Sequence, residues 1–110
     1  MGRNGAYSLT NRAEFLKPRK EVDANGRIIQ GYDPQFTLWA HVLPLRGGEE
    51  VMHARIEAKN PAIITVRASE NTRLITSEWK ARIDGRTYAI KENPRESQDR
   101  AFLEMLAEAR

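Results

Sequence analysis

The chain has 110 residues, 40% hydrophobic and 30% charged, with a formal net charge of +3 and no cysteine. Those totals describe one domain with a single modest core and an extensive polar surface. They exclude disulfides, thiolate metal sites and cysteine nucleophiles, in keeping with assembly in a reducing cytosol, and no apolar run approaches the roughly 20 residues that span a bilayer.

The charge is unevenly placed. Residues 1–20 carry Arg3, Arg12, Lys17, Arg19 and Lys20 against Glu14 alone, a local net of +4, while the other 90 carry 13 basic and 14 acidic side chains, a net of −1. Residues 1–13 are polar, contain glycine and lack any period, so they are expected to form a flexible basic arm ahead of a single domain over 14–110. The first residues lack the apolar core of a signal peptide. Such an arm can dock on an acidic protein surface or approach nucleic acid, and it equally serves as a solvated tail.

From Glu14 to Val22 the pattern suits an edge strand, because Pro18 lacks the N–H a central strand needs. Asn25-Gly26 predicts a tight turn. Arg27–Tyr32 is expected to return as a ragged strand that Asp33-Pro34 breaks. Phe36–Leu45 is the clearest strand: Phe36, Leu38, Ala40 and Val42 share one face, with Trp39 and Leu43 on the other. Large apolar groups on both faces predict a central strand with Trp39 covered, and Pro44 marks its end.

The segment Arg46–Asn60 is long for a connection in so short a chain, and long connections are functional or disordered more often than not. Val51, Ala54 and Ala58 would line one face of a short helix, with Glu49 and Glu50 in its first turn and Gly47-Gly48 just outside. Pro61 closes the segment. Ala62–Ala68 and Thr76–Asp84 alternate as strands, and Asp84-Gly85 is the strongest hairpin signal, with Thr87–Ile90 as the return. Residues 101–109 are a fork. Phe102, Met105, Leu106 and Ala109 fall at helical spacing in good helix formers, while Leu103, Met105 and Ala107 also alternate as in a strand.

No constellation supports catalysis. His41 and His53 are 12 apart with no carboxylate cluster beside either, short of the three or four converging ligands of a metal site. No serine sits on a sharp turn beside a histidine, Gly47-Gly48 lacks the Gly-Lys-Ser/Thr of a phosphate loop, and Glu49-Glu50 reads as solvated acids. No catalytic residue, metal or cofactor is therefore expected. Trp39, Trp79 and Tyr88 raise a second reading, a small barrel that stacks nucleobases beside the basic arm; on the strands of one small core such rings are more often packed inside.

Several segments occur in a familiar order. They are the Asn25-Gly26 turn, Leu38-Trp39-Ala40-His41-Val42-Leu43-Pro44-Leu45-Arg46-Gly47, the polar excursion, Ile64-Thr65-Val66-Arg67, the Trp79–Ile90 hairpin, Asn93-Pro94 and the apolar run Arg100–Glu108. Over about residues 14–109 this order resembles the tailed-phage head–tail joining (head completion, or stopper) proteins of the SPP1-like head–tail adaptor family. The leader is longer here, and Asp33-Pro34 has no counterpart in the pattern. The resemblance implies an all-β fold, a small antiparallel β-barrel with a long loop between its second and third core strands, and makes the last run a strand. It also implies a non-enzymatic virion protein at the neck, assembled in the bacterial cytoplasm: a homo-oligomeric ring below the portal or adaptor and above the tail terminator or tail tube protein, enclosing double-stranded DNA without sequence preference and touching no membrane. Arg46, Gly47, Gly48, Glu49, Glu50, Val51, Met52, His53, Ala54 and Arg55 would form the loop that faces and closes the channel, with Gly47-Gly48 as its hinge.

Overall fold

The computed structural model describes residues 9–45 and 60–109. They form strands β1 (Asn11–Val22), β2 (Ile28–Pro44), β3 (Pro61–Arg67), β4 (Lys80–Ile83), β5 (Arg86–Ile90), β6 (Arg95–Glu96) and β7 (Phe102–Ala109), with one 3-10 turn at Thr72–Leu74. Every pairing is antiparallel. The order runs β3-β2-β1-β4-β5-β7, with β7 pairing back onto β3, so six strands close on themselves while the two-residue β6 lies beside β7. The expected all-β class holds.

Closure of so few strands leaves a narrow interior, and the inward positions are sized for it. Ala13, Ala40, Ala62, Ala81, Ala107 and Ala109 are buried between the larger Phe15, Ile64, Val66, Ile83 and Met105, the small–large alternation that fills a tapering closed sheet. Phe36 bridges Phe15 and Trp79, with ring centroids 5.9 and 6.0 Å apart. Trp79, Ile75 and Thr72 are buried in the 68–79 connection from β3 to β4.

β1 and β2 form a long hairpin. At its turn Gly26 takes φ +82°, and Asp23 Oδ1 accepts from the N–H groups of Asn25 and Arg27, both at 2.9 Å. The register runs from Asn11↔Ala40 to Val22↔Ile28, with a bulge where Phe15 faces Phe36 and Leu16 faces Pro34, leaving Gln35 extra in β2. The break expected at Asp33-Pro34 does not occur. Proline is tolerated at a bulge or on a strand edge, and both conditions hold here, since β2 pairs with β3 only over Ala40–Pro44. Pro18 benefits in the same way. β1 meets β4 only over Ala13–Leu16, so β1 is central in that stretch and an edge beyond it.

The fork at 101–109 resolves as strand. Leu103, Met105, Ala107 and Ala109 turn inward, and β7 exchanges hydrogen bonds with β3, β5 and β6. Tertiary pairing on this scale overrides a per-residue helix preference of a few tenths of a kcal/mol. The strand expected over Thr76–Asp84 begins only at Lys80, because Trp79 N–H bonds back to the Thr76 carbonyl and Glu78 adopts φ +105°. At the β4–β5 turn Asp84 and Gly85 both take positive φ, as a two-residue hairpin with right-handed twist requires.

Candidate assembly surfaces

The channel-loop candidates Arg46, Gly47, Gly48, Glu49, Glu50, Val51, Met52, His53, Ala54 and Arg55 lie outside the described residues, as does the short helix considered there. Their root is well defined. Pro44 pairs with Ala62, Leu45 N–H bonds to the Pro61 carbonyl at 2.8 Å, and the Asn60 carbonyl accepts from Ala109 N–H at 3.3 Å. The excursion therefore leaves and re-enters the closed sheet at one point, where β2, β3 and β7 are all tied together.

Of the basic arm candidates, Arg3 lies outside the described residues. Arg12, Lys17, Arg19 and Lys20 are all on β1, which starts at Asn11 and buries Ala13, so residues 11–13 are part of the sheet rather than of an arm. The physical reason is that Asn11–Ala13 find backbone partners on β2 and apolar cover for Ala13. The four cations do not form one patch. Arg12 lies over the Trp39 ring with its guanidinium carbon 4.9 Å from the centroid. Arg19 pairs with Glu21 (3.1 Å) and Asp33 (3.3 Å). Gly31 makes room for this cluster, since a Cβ there would meet Glu21 Oε1 at 3.0 Å and Arg19 Nη2 at 3.1 Å. These pairs are exposed, which limits each to about 0–1 kcal/mol.

Trp39 is not covered as expected. It is 49% exposed, whereas Trp79 and Tyr88 are buried in the core, so the three rings make no continuous stacking platform. Trp39, His41 and Leu43 follow one another on the outer face of β2. Leu43 continues across the sheet to Ile63 and Leu106, which face one another in register. His41 lines a shallow groove of about 360 Å³ on this face with Leu43, Ile63, Thr65, Glu104 and Leu106. A histidine and a carboxylate flanking a buried threonine lack the exposed nucleophile that acyl transfer needs. Among the described residues, no three histidine or acidic side chains converge on a point that could hold a metal ion.

From Leu16 and Pro34 out to its turn, the β1–β2 hairpin has no other strand beside it among the described residues. Its tip exposes Val22 (69%) and Ile28 (71%) in direct cross-strand register, with Ile29 next to them. Sequence reasoning passed over these three. The available signal was that apolar residues flank the Asn25-Gly26 turn with nothing nearby in the chain to bury them.

Among the described residues, one ionisable group is clearly shifted. Asp99 is held below its ordinary value of 3.8 by accepting hydrogen bonds from Ala101 N–H (3.0 Å) and the Ser97 hydroxyl (2.7 Å). Those bonds shape the turn that leads into β7; they belong to folding rather than to a reactive site.

The sequence matches the family model of phage head completion proteins over residues 5–110. No curated protein matches it. Among solved structures, it is similar to the solution structure of protein SF1141 from Shigella flexneri 2a, with 21% identity, a TM-score of 0.71 and 92% of each chain covered. It is also similar to a chain in the virion of a native gene transfer agent particle, with 20% identity and a TM-score of 0.68 over 96% of this chain and 98% of that one. At such identities the likeness to the two structures is one of fold. The match over nearly the whole sequence is what decides: the chain belongs to the phage head completion protein family and is a structural component of the virion, at its head–tail region.

Proposed function

We infer that this protein is a ring-forming connector that closes the DNA channel after packaging and joins the portal or adaptor to the tail terminator or tail tube, acting by structure rather than by catalysis. The observation that carries this reading is the root of the excursion. A segment that must block a channel and then yield needs a fixed hinge. Residues 46–58 are inserted where the start of β3 is bonded on one side to β2 and on the other to β7, through Leu45 to Pro61 and Ala109 to Asn60. Charge supports the same reading. From the start of β1 onward (residues 11–110) the sequence carries 17 basic and 15 acidic side chains, a net of +2, and a near-neutral body does not hold phosphates by counterion release as a DNA-binding module does.

Particles assembled without the protein should contain heads that are leaking DNA, or filled, with no tails attached; normal tailed particles would refute the role. Replacing Gly47 and Gly48 by alanine should reduce DNA retention while leaving the unfolding transition of the purified protein nearly unchanged. Equal retention would remove the loop from the mechanism. A gel shift at low salt separates the nucleic-acid-binding alternative, which requires tight, salt-sensitive binding.

A further inference from the structure

The described residues expose six large apolar side chains, and five of them gather at two places. Val22, Ile28 and Ile29 sit at the tip of the β1–β2 ribbon. Trp39 and Leu43 sit on the outer face of β2, beside Ile63 and Leu106. From Ile28 to Trp39 is 11 residues along β2, about 36 Å at ~3.3 Å per residue. The two patches are thus well apart on a molecule 55 Å long. Neither can cover the other within one copy. Exposed apolar groups grouped in this way mark an interaction surface, and the second patch pairs a tryptophan with an arginine stacked on it, the residue types that anchor interfaces.

We propose that the ribbon of one copy lies along the outer face of β2 in the next copy, with the Val22–Ile28 tip covering Trp39 and the ribbon body running toward Leu43. This rests on the ring-forming reading. Around a rotation axis every copy must present two different, complementary patches, one given and one received, and the chain has two such patches of unlike shape, a narrow tip and a flat strip. The ribbon spans Lys17–Asp33, 17 residues. At the roughly 30–40 Å² per residue implied by about 800 Å² over 20–30 residues, it would bury about 500–700 Å² per copy. That is below a standard interface, so dilute protein stays monomeric and the ring closes where copies are concentrated on a neighbouring ring. The contact also fixes a dimension: neighbouring copies stand about 36 Å apart at the radius of β2, the length of strand between the two patches at ~3.3 Å per residue.

The absence of cysteine makes the test clean. Ile28→Cys and Thr37→Cys, the latter exposed on the same face as Trp39, lie too far apart within one chain for a short bis-maleimide to join. In assembled particles the double variant should give a ladder of covalent multimers of this chain, and each single variant none. Ile28→Glu, at a site 71% exposed, should leave the unfolding midpoint nearly unchanged and lower the yield of tailed particles by about tenfold or more, the scale of losing one interface anchor. Rings visible in the neck without a ladder, with Ile28→Glu assembling normally, overturn this interface and leave the ring reading intact. A cross-link from residue 28 to a different virion protein also overturns it and assigns the tip to that neighbour. Tailed particles in which this protein forms no ring overturn both.

Discussion

Thr72 is one of two polar side chains buried among the described residues, and it offers a sharp test of how the β3–β4 connection is held. Its hydroxyl donates to the Arg67 carbonyl at 2.9 Å and accepts from Ser69 N–H at 2.8 Å. Thr72→Val preserves shape and removes both bonds, stranding a backbone donor and a backbone acceptor. Each buried group left without a partner costs about 1–3 kcal/mol, so with partial burial the pair should cost about 2–4 kcal/mol. Thr72→Ser keeps both bonds and deletes one methyl, worth about 1 kcal/mol. With a urea m-value of about 1–1.5 kcal/mol/M for a domain of this size, the midpoint should fall by about 1.3–4 M for valine and about 0.7–1 M for serine. The fluorescence of buried Trp79 reports the transition. If valine is tolerated as well as serine, the hydroxyl is not what fastens the connection, and packing of Ile75 and Trp79 alone closes that end of the sheet.

Ile64 is fully buried on β3 between β2 and β7; Ile64→Ala should cost about 2–5 kcal/mol and lower Tm by roughly 10–20 °C in calorimetry. Gly85 holds φ +77° in the β4–β5 turn with open space where a Cβ would stand. Gly85→Ala should therefore destabilise by about 1 kcal/mol through backbone strain without steric clash, and urea melts would show a small shift in midpoint with an unchanged slope. Asp99 has its folded value depressed below 3.8, so its contribution is complete above that pH and is lost as pH falls through the lower folded value. Asp99→Asn should therefore unfold more readily than the parent at about pH 6 and converge with it in strong acid; a gap that persists in acid would mean that the carboxylate charge is not the cause.

Local chemistry made the turns legible. Asn25-Gly26 and Asp84-Gly85 both carry positive φ at the glycine, and the alternation expected over 62–68 and in the second half of 76–84 is observed, with Ile64, Val66, Ala81 and Ile83 inward. What was not legible depends on how many partners a strand has at each height. Asp33-Pro34 would break a strand paired on both sides, but β2 there has one neighbour and a bulge. Trp39 is expected to be covered because large apolar groups on both faces of 36–45 suggest a central strand; among the described residues Arg12, across the β1–β2 ladder, stacks on it. Residues 101–109 satisfy two periods at once, and only pairing to β3, β5 and β6 selects one. Of the candidate site, the place of the excursion between two strands was readable, whereas the ribbon tip was not, since exposure of Val22 and Ile28 follows from what does not pack on them.

β2 carries both candidate surfaces, and its two halves differ in how firmly they are held. Ala40–Pro44 has β3 on one side and abuts β1 at Ala40, and the root just beyond it is tied to Pro61. Among the described residues Ile28–Asp33 has only β1 as a strand partner, with Lys80 resting on the Tyr32 ring near the ribbon's base, and a two-stranded ribbon is marginal by itself in water. The backbone amides of Leu43, Ile64 and Leu45 should therefore exchange hydrogen only by global or near-global opening, while those of Ile28–Tyr32 exchange by local fraying, orders of magnitude faster. Mass spectrometry of exchange on the purified protein checks this directly; equal protection at both ends would mean that the ribbon is supported by something other than β1. Repeated on assembled particles, the ribbon amides should gain protection and the root amides should not change, because docking adds a neighbour only where one is missing. An unchanged ribbon in the particle would show that the tip remains in solvent after assembly, and its apolar side chains would then have no part in holding the neck together.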